Sequence, residues 1–264
     1  MTFSIITITF NSLEFLEDAI QSVLSQDEAD FEYIIIDGGS TDGTLDVIRR
    51  YASGDSRIRW ISEPDHGISD AFNKGIALAR GDIIGILNSD DTYLPGALLS
   101  VAEAYRLNPD FDVFHGDILR VQQGGATLFR LAPADVNTCI WREMPLNHPA
   151  TFVTRRIYGM VGRFDLAIRI AMDYDMILRI YKSGGLFHYI ARPLAAMRYG
   201  GASDTQNRNG LKEVRAIAIR EGIPPLKAWL WFGYKVAISS IKNALRCFGL
   251  YGLLQFHPRF RPHK

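Results

Sequence analysis

Four short polar clusters carry most of the chemistry open to this 264-residue chain: Thr9-Phe10-Asn11, Asp37-Gly38-Gly39-Ser40, Glu63-Pro64-Asp65 and Asn88-Ser89-Asp90-Asp91. Each follows an apolar run, and three of the four are acidic. Gathered around one crevice, their carboxylates would repel unless a cation or a proton intervened. A divalent cation is the natural solution, and oxygen-only ligands favour Mg²⁺ or Mn²⁺ over zinc. Asn88-Ser89-Asp90-Asp91 is the sharpest signal, because it directly follows the run Ile83 to Leu87. It reads either as a metal clamp on a diphosphate or as an Asx turn capping the next helix. The glycines of Asp37-Gly38-Gly39-Ser40-Thr41-Asp42-Gly43 permit close approach of backbone to a ligand, yet such a turn also serves as a plain connector. It is not a dinucleotide fingerprint, because Ser40 occupies the middle glycine position.

These clusters need a frame that brings them together. Phe3 to Phe10 is apolar and β-branched, as a strand buried on both faces should be. Leu13, Leu16, Ile20, Val23 and Leu24 then recur at helical spacing, with Asn11 and Glu14 placed as a capping box. Further strands are expected at Tyr33–Ile36, Ile58–Ile61 and Ile83–Leu87. Helices are expected at Thr44–Tyr51, at Ile68–Arg80 and from near Pro95. Strands alternating with helices imply a mostly parallel sheet wrapped on both faces. In such α/β sheets, ligands bind beyond the carboxyl ends of the strands, where all four clusters fall. Beyond Asp112 the pattern predicts a hairpin (Ile118–Gln122 with Thr127–Leu131) and helices near Arg155–Val161 and Asp173–Lys182.

Composition narrows the class. Hydrophobic residues make up 47%, enough for one large domain over residues 1–222 with a helical appendage over 223–264. Lys+Arg and Asp+Glu number 29 each, so the basic excess of a nucleic-acid binder is missing. Cys139 and Cys247 have no metal-ligand spacing, and a reducing, cytoplasmic setting is expected. The amino terminus reads as a strand and not as a signal peptide, and no long uncharged apolar stretch predicts a spanning helix.

Taken together, several runs resemble the family 2 glycosyltransferases of bacterial exopolysaccharide and lipopolysaccharide assembly, the colanic-acid-type branch. They are Ser4 to Asn11, Asp37-Gly38-Gly39-Ser40-Thr41-Asp42-Gly43-Thr44, the long run Glu63 to Gly75, and Asn88-Ser89-Asp90-Asp91 at the family's D-x-D region. The resemblance spans about residues 3 to 205. It implies the GT-A nucleotide-diphospho-sugar transferase fold and a metal-dependent, inverting, hexosyltransferase-type activity. The donor would be a nucleotide-diphospho-sugar and the acceptor a saccharide or lipid-linked hydroxyl. By position, the resemblance implies that Thr9, Asn11 and Asp37 line the nucleoside pocket, with Asp37 accepting from the base. Asp65 and Asp70 would border nucleotide and sugar, and Asp90 would ligate Mg²⁺ or Mn²⁺ with Asp91 beside it. Asn88 departs from the D-x-D pattern, which removes one charge from the clamp.

An inverting transfer also needs a carboxylate to take the acceptor's proton. The segment Asp173-Tyr174-Asp175-Met176-Ile177-Leu178-Arg179 resembles the one that carries this base, with Met172-Asp173 where the family often has Glu-Asp. That implies Asp173 as the base. The plain alternative, acidic charge at a helix amino terminus, is preferred for Asp175. Asn147-His148-Pro149 is also family-like: His148 would contact acceptor or phosphate, or else serve as an ordinary hydrogen-bonding side chain. Arg198 would close over the diphosphate from a mobile loop, or else be a solvated basic residue.

From Leu226 to Phe256 the composition turns aromatic, aliphatic and basic. On a helical wheel Lys227, Lys235, Lys242 and Arg246 share about a 100° arc. That pattern suits a helix lying in an anionic membrane interface, at the inner face of the cell membrane, or a helical pair packed on protein. Two rival functions remain: a sugar-phosphate nucleotidyltransferase and a non-catalytic nucleotide-sugar-binding subunit. The first should carry a Gly-rich loop with a basic residue after the first strand, which Thr9-Phe10-Asn11-Ser12 does not offer.

Overall fold

Alternation along the first strand sends its side chains into two separate cores. In the computed structural model, which describes residues 1–26, 30–122, 124–200, 207–247 and 260–261, β1 (Phe3–Thr9) pairs in parallel with β2 (Phe31–Asp37) and β4 (Ile83–Asn88), and β2 with β3 (Ile58–Ser62). Phe3, Ile5, Tyr33 and Ile35 pack one face of this sheet against α1 (Leu16–Leu24), α2 (Thr44–Gly54) and α4 (Ala97–Leu107). Ile6, Ile34, Ile36, Ile84 and Ile86 pack the other against α3 (Ile68–Leu78), α6 (Arg155–Val161) and α7 (Met172–Lys182). This three-layer α/β/α arrangement is the one the alternating sequence pattern predicts.

The sheet then turns mixed. Strand β8 (Thr151–Thr154) runs antiparallel to β4 and to β6 (Val113–Val121), and β6 forms the expected hairpin with β7 (Thr127–Leu131). The order is β10-β7-β6-β8-β4-β1-β2-β3, with β10 (Phe260–Arg261) at one edge. Strand β9 (Phe187–Arg198) lies parallel to β6 and also pairs with the short β5 (Thr92–Tyr93). The sequence pattern does not announce β9, because Pro193 interrupts it. The interruption coincides with a register shift at Asp117, where the missing N–H is tolerated. A four-residue helix, α5 (Val136–Cys139), precedes a 3₁₀ turn at His148–Ala150. Two longer helices follow β9, α8 (Asn207–Arg220) and α9 (Pro225–Cys247). The part of the amphipathic segment from 248 to 256 lies outside the described residues. Among the described residues no helix is long and apolar enough to cross a membrane.

One local expectation is corrected. Asn11 and Glu14 do not form a capping box: α1 starts at Leu16, and Phe15 at its N-cap makes no side-chain cap. Asn11 sits at φ 48°, and its Oδ1 accepts instead from Thr41 N–H at 2.9 Å, tying the first loop to the second. The helix expected from near Pro95 is α4, which starts at Ala97 after Gly96 and leaves Pro95 just ahead of it.

Helix α3 reaches the sheet through a glycine. A Cβ at Gly75 would stand 2.5 Å from Cγ2 of fully buried Ile6. Glycine costs a helix about 1 kcal/mol relative to alanine, whereas overpacking a filled core costs about 1–3 kcal/mol. Packing therefore wins. Gly75→Ala is expected to lower unfolding stability by up to about 2 kcal/mol net, read as a lower urea midpoint at unchanged m-value. An unchanged or higher midpoint would show that Ile6 yields without cost.

Candidate active site

The parallel strands end in one row. Thr9 pairs in register with Asp37, Asp37 with Ser62, and Asn88 with Ile8. All four polar clusters therefore open at the same edge. Their loops are laced together: Asn11 N–H donates to Ser40 Oγ at 2.8 Å, Ser12 N–H to Thr44 Oγ1 at 3.0 Å, and Ser89 Oγ to Ser12 Oγ at 2.9 Å.

Asp37 is the centre of this lacing. Its Oδ2 accepts from Gly39 N–H, Ser40 N–H and Ser62 Oγ, its Oδ1 accepts from Ser40 Oγ, and the residue is 0% exposed. A carboxylate has about two acceptor sites on each oxygen; three bonds converge on Oδ2 while Oδ1 accepts one, so Asp37 shapes the loop from inside. The carboxylate that reaches the mouth is Asp65. A Cβ on Gly38 would lie 2.6 Å from Asp65 Oδ2, so the absence of a side chain at 38 makes room for it, beside the 60%-exposed ring of Phe10. Thr9 Oγ1 is buried in the same row with no hydrogen-bond partner among the described residues.

Several side chains of the run Glu63 to Gly75 are also tied into the fold. Asp70 Oδ2 accepts from His66 N–H at 3.0 Å and lies 3.5 Å from Lys74 Nζ, and the His66 bond and the ammonium hold its carboxyl below the usual range. Ser69 Oγ donates to Ile168 O at 3.0 Å. Asn73 exchanges two bonds with the backbone of Phe164, at 2.9 and 2.8 Å. Helix α3 thus fixes the loop that leads into α7.

The β4 loop brings Asn88, Asp90 and Asp91 together. Asp91 is buried, and desolvation together with the Asp90 charge pushes its carboxyl well above the ordinary range, opposed by the Arg198 N–H, Arg120 and the Asn88 side chain. Arg198 stands at the end of β9 and not in a loop, while residues 201–203 of the expected loop lie outside the described residues. Its Nε donates to Asp90 O at 3.0 Å, its N–H to Asp91 Oδ1 at 3.2 Å, and its Nη2 to exposed Asp18 at 2.5 Å. It therefore braces the acidic loop.

Two acids in the first turn of α7 meet different fates. Asp175 is buried in ion pairs with Arg179, at 2.9 Å, and with Arg220. Asp173 has no Lys or Arg partner among the described residues, and its Oδ1 accepts only the following N–H, from Tyr174. It shares with His148 the wall of a cavity of about 30 Å³, backed by Ile86, Phe164 and Met176. Burial pushes the Asp173 carboxyl up, opposed by His148. Burial also pulls the His148 imidazole down, while the charges of Asp173 and Asp90 pull it back. His148 stacks on Phe72 at 5.5 Å, and its Nε2 is buried without a partner among the described residues. Asp90, His148 and Asp173 thus bear on one another. No group of three or more His, Cys, Asp or Glu side chains among the described residues is arranged to hold a metal by itself.

One positioning group has no sequence signal. Glu213 of α8 accepts from the backbone N–H groups of Arg169, Ile170 and Ala171, at 3.2, 2.8 and 2.8 Å. These donors immediately precede α7, so a carboxylate from a distant helix orders the turn that presents Asp173. Only the three-dimensional approach of α8 reveals it.

Comparison with known proteins agrees with this arrangement. The chain is 31% identical over 208 residues, 77% of its length and 79% of the other protein's, to the "PGL/p-HBAD biosynthesis glycosyltransferase Rv2957" of Mycobacterium tuberculosis. It is 28% identical over 239 residues to the chondroitin synthase of Escherichia coli, covering 85% of this chain but 34% of that protein. Among solved structures, the mannosyltransferase PcManGT from Pyrobaculum calidifontis, in complex with GDP-Man and Mn²⁺, superposes with a TM-score of 0.68 at 18% identity, over 97% of this chain and 81% of that one. S. aureus TarS 1–349 in complex with UDP-GlcNAc gives 0.67 at 16% identity, over 88% and 70%. Both likenesses are of fold. Residues 4–164, which contain every strand-end cluster and His148, match the family described as "Glycosyl transferase family 2". The chain belongs to glycosyl transferase family 2: it is a glycosyltransferase of GT-A-like fold.

Proposed function

We propose that the chain transfers a sugar, with inversion, from a nucleotide-diphospho-sugar to a hydroxyl of a saccharide or lipid-linked acceptor in bacterial surface polysaccharide assembly. The observation that carries this reading is the contrast within α7: Asp175 is neutralised by two arginines, while Asp173 faces a cavity beside His148 with no cation on it. A carboxylate kept unpaired at a site edge, with its pKa raised, is suited to accept a proton.

The acceptor oxygen attacks the anomeric carbon, the bond from that carbon to the diphosphate oxygen breaks, and Asp173 takes the acceptor's proton. Thr9, Asn11 and Asp37 line the nucleoside side, with Asp65 bordering the nucleotide and the Phe10 ring as a face for the base. Asp70, tied to His66 and Lys74, holds the sugar-side loop. Asp90 is the group that would hold Mg²⁺ or Mn²⁺. The strain between Asp90 and Asp91 fits a cation there, and such ions bind through one or two carboxylates plus substrate phosphates. When bound, the ion offsets charge growing on the departing diphosphate. Asn88 and Asp91 shape its loop, and Arg198 reaches the diphosphate by exchanging exposed Asp18 for a phosphate oxygen. His148 hydrogen-bonds the acceptor or a phosphate through Nε2.

The transferase body ends near residue 222. The region from 223 rests on the membrane's inner, cytoplasmic face, where a lipid-linked acceptor is presented. The support is the exposed apolar face of α9, with Leu226, Trp229, Leu230 and Tyr234 each more than half exposed beside Lys227.

A panel of nucleotide sugars with and without Mn²⁺, read by release of nucleoside diphosphate, tests the reading. Release is expected to require the metal and to vanish in Asp90→Ala. Configuration at the anomeric carbon of the product, read by NMR, must be inverted, and retention would exclude a direct displacement. Asp173→Asn is expected to lower kcat by about 10²- to 10⁴-fold. In the wild type, kcat should fall as pH drops through the raised pKa of Asp173, above the usual carboxylate value of about 4, because only the deprotonated form accepts the proton. An acid limb that survives in Asp173→Asn would assign the base elsewhere. Glu213→Gln removes a charge from three backbone donors but leaves the acid itself. It should lower kcat by up to about a hundredfold at unchanged donor KM, and a rise in KM alone would deny Glu213 its positioning role.

A further inference from the structure

Away from the strand ends, α5, α8 and α9 enclose a second cavity of about 330 Å³. Its walls are apolar and aromatic, from Trp141, Leu211, Val214, Ala218, Ala228 and Trp231. Four cations also line it: Arg142, Arg215, Lys227 and Lys235. Among the described residues one carboxylate pairs with any of them, Glu143 with Lys235. The two arginines rest on rings instead. Arg215 lies 3.7 Å from the Trp229 centroid, and Arg142 4.5 Å from that of Trp231.

Two donors in this cavity are orphaned. Arg142 Nε and Trp231 Nε1 are both buried with no hydrogen-bond partner among the described residues. Buried donors are almost always satisfied, and an exception calls for an acceptor. That acceptor must be oxygen-rich and anionic to suit the cations, and must carry an apolar part to suit the walls. At the rim stand Trp229 and Leu230, 55% and 67% exposed.

We propose that this cavity seats the phosphate-bearing head and proximal chain of an anionic membrane lipid, with Arg142 Nε and Trp231 Nε1 donating to the phosphate oxygens. The assignment rests on the membrane reading of α9 and gives that surface a specific ligand. Cations then draw the protein to the bilayer, and the exposed Trp229, Leu230 and Tyr234 enter the interface around the bound lipid.

The test uses the full chain and dihexanoyl phosphatidylglycerol below its micelle concentration, followed by tryptophan fluorescence. Dihexanoyl phosphatidylcholine and inorganic phosphate are the controls. Vesicles of phosphatidylcholine, alone or mixed with phosphatidylglycerol, are pelleted in parallel. Saturable binding of the short anionic lipid is expected, weakened about tenfold or more by Arg142→Gln through loss of a charged donor. Ala228→Phe, which fills the cavity without touching its charges, should weaken it as much. Both variants should release nucleoside diphosphate from donor at the wild-type rate, which also shows that they fold.

Undiminished binding in both variants would overturn the proposal. Inorganic phosphate binding as tightly as the lipid would make this a plain anion site and overturn it too. A concentration-dependent doubling of mass by light scattering, with no lipid bound, would make a second copy of the chain the occupant. The two readings part cleanly. Wild type and variants pelleting alike with anionic vesicles, with no saturable short-lipid binding, would sink the cavity and spare the membrane surface. Saturable lipid binding without pelleting on either vesicle would do the reverse.

Discussion

A buried carboxylate holds the strand-end loops of this enzyme together. Asp37 has given up all contact with solvent, and the four hydrogen bonds it accepts come from its own loop and from the end of the neighbouring strand. Bonds to a charged acceptor are worth more than neutral ones, and a buried carboxylate left short of donors would be costly. Loop β2–α2 therefore has one low-energy shape. The β1 loop inherits that shape through Ser40 and Thr41, which bond to Asn11, and the β4 loop through Ser12 and Ser89. A rigid rim of this kind is what a diphosphate needs, since misplacement by an ångström is expensive in rate.

At the other wall the fold sorts two nearly adjacent acids by what surrounds them. Asp173 and Asp175 have the same chemistry and lie in the same turn, and both gain from the helix amino terminus. Arg179 and Arg220 claim Asp175. Asp173 is left with a histidine that is itself desolvated and a second carboxylate beyond it. The environment raises one proton affinity where it is useful and spends the other acid on holding α7 to α8. Residue type alone would not have separated them; the positions of two arginines do.

How much of this was legible beforehand follows the range of the interactions. Strands β1 to β4 and their helices could be read because each obeys a local period, and the family runs named Asp90 and Asp173 by position. Elements governed by distant contacts could not. Strand β9 carries Pro193 and no clean alternation, and it exists because β6 and β5 lie beside it. The capping box at Asn11 and Glu14 was a valid local pattern that lost to a stronger tertiary bond from Thr41. Within the run Glu63 to Gly75, Ser69 and Asn73 bond to the loop before α7, across 99 and 91 positions, which no local period announces. Asp37 was visible as an acid in a glycine-rich turn, but its role in ordering that loop shows only when its four donors are placed in three dimensions.

Helix α8 was not foreseen at all, and it joins the two halves of the molecule's chemistry. Glu213 and Arg220 are seven residues apart, two helical turns, and so share a face. That face grips the backbone before α7 and the carboxylate of Asp175. Leu211, Val214, Arg215 and Ala218 fall on the opposite side at the same periodicity, and that side lines the second cavity. A rigid helix with both faces engaged cannot shift on one side without shifting on the other. Pressing α9 against a bilayer would therefore load the same element that orders the turn in front of Asp173. In the proposed reaction, the acid assigned as the base is thus held in place from the side on which a lipid-linked acceptor would arrive.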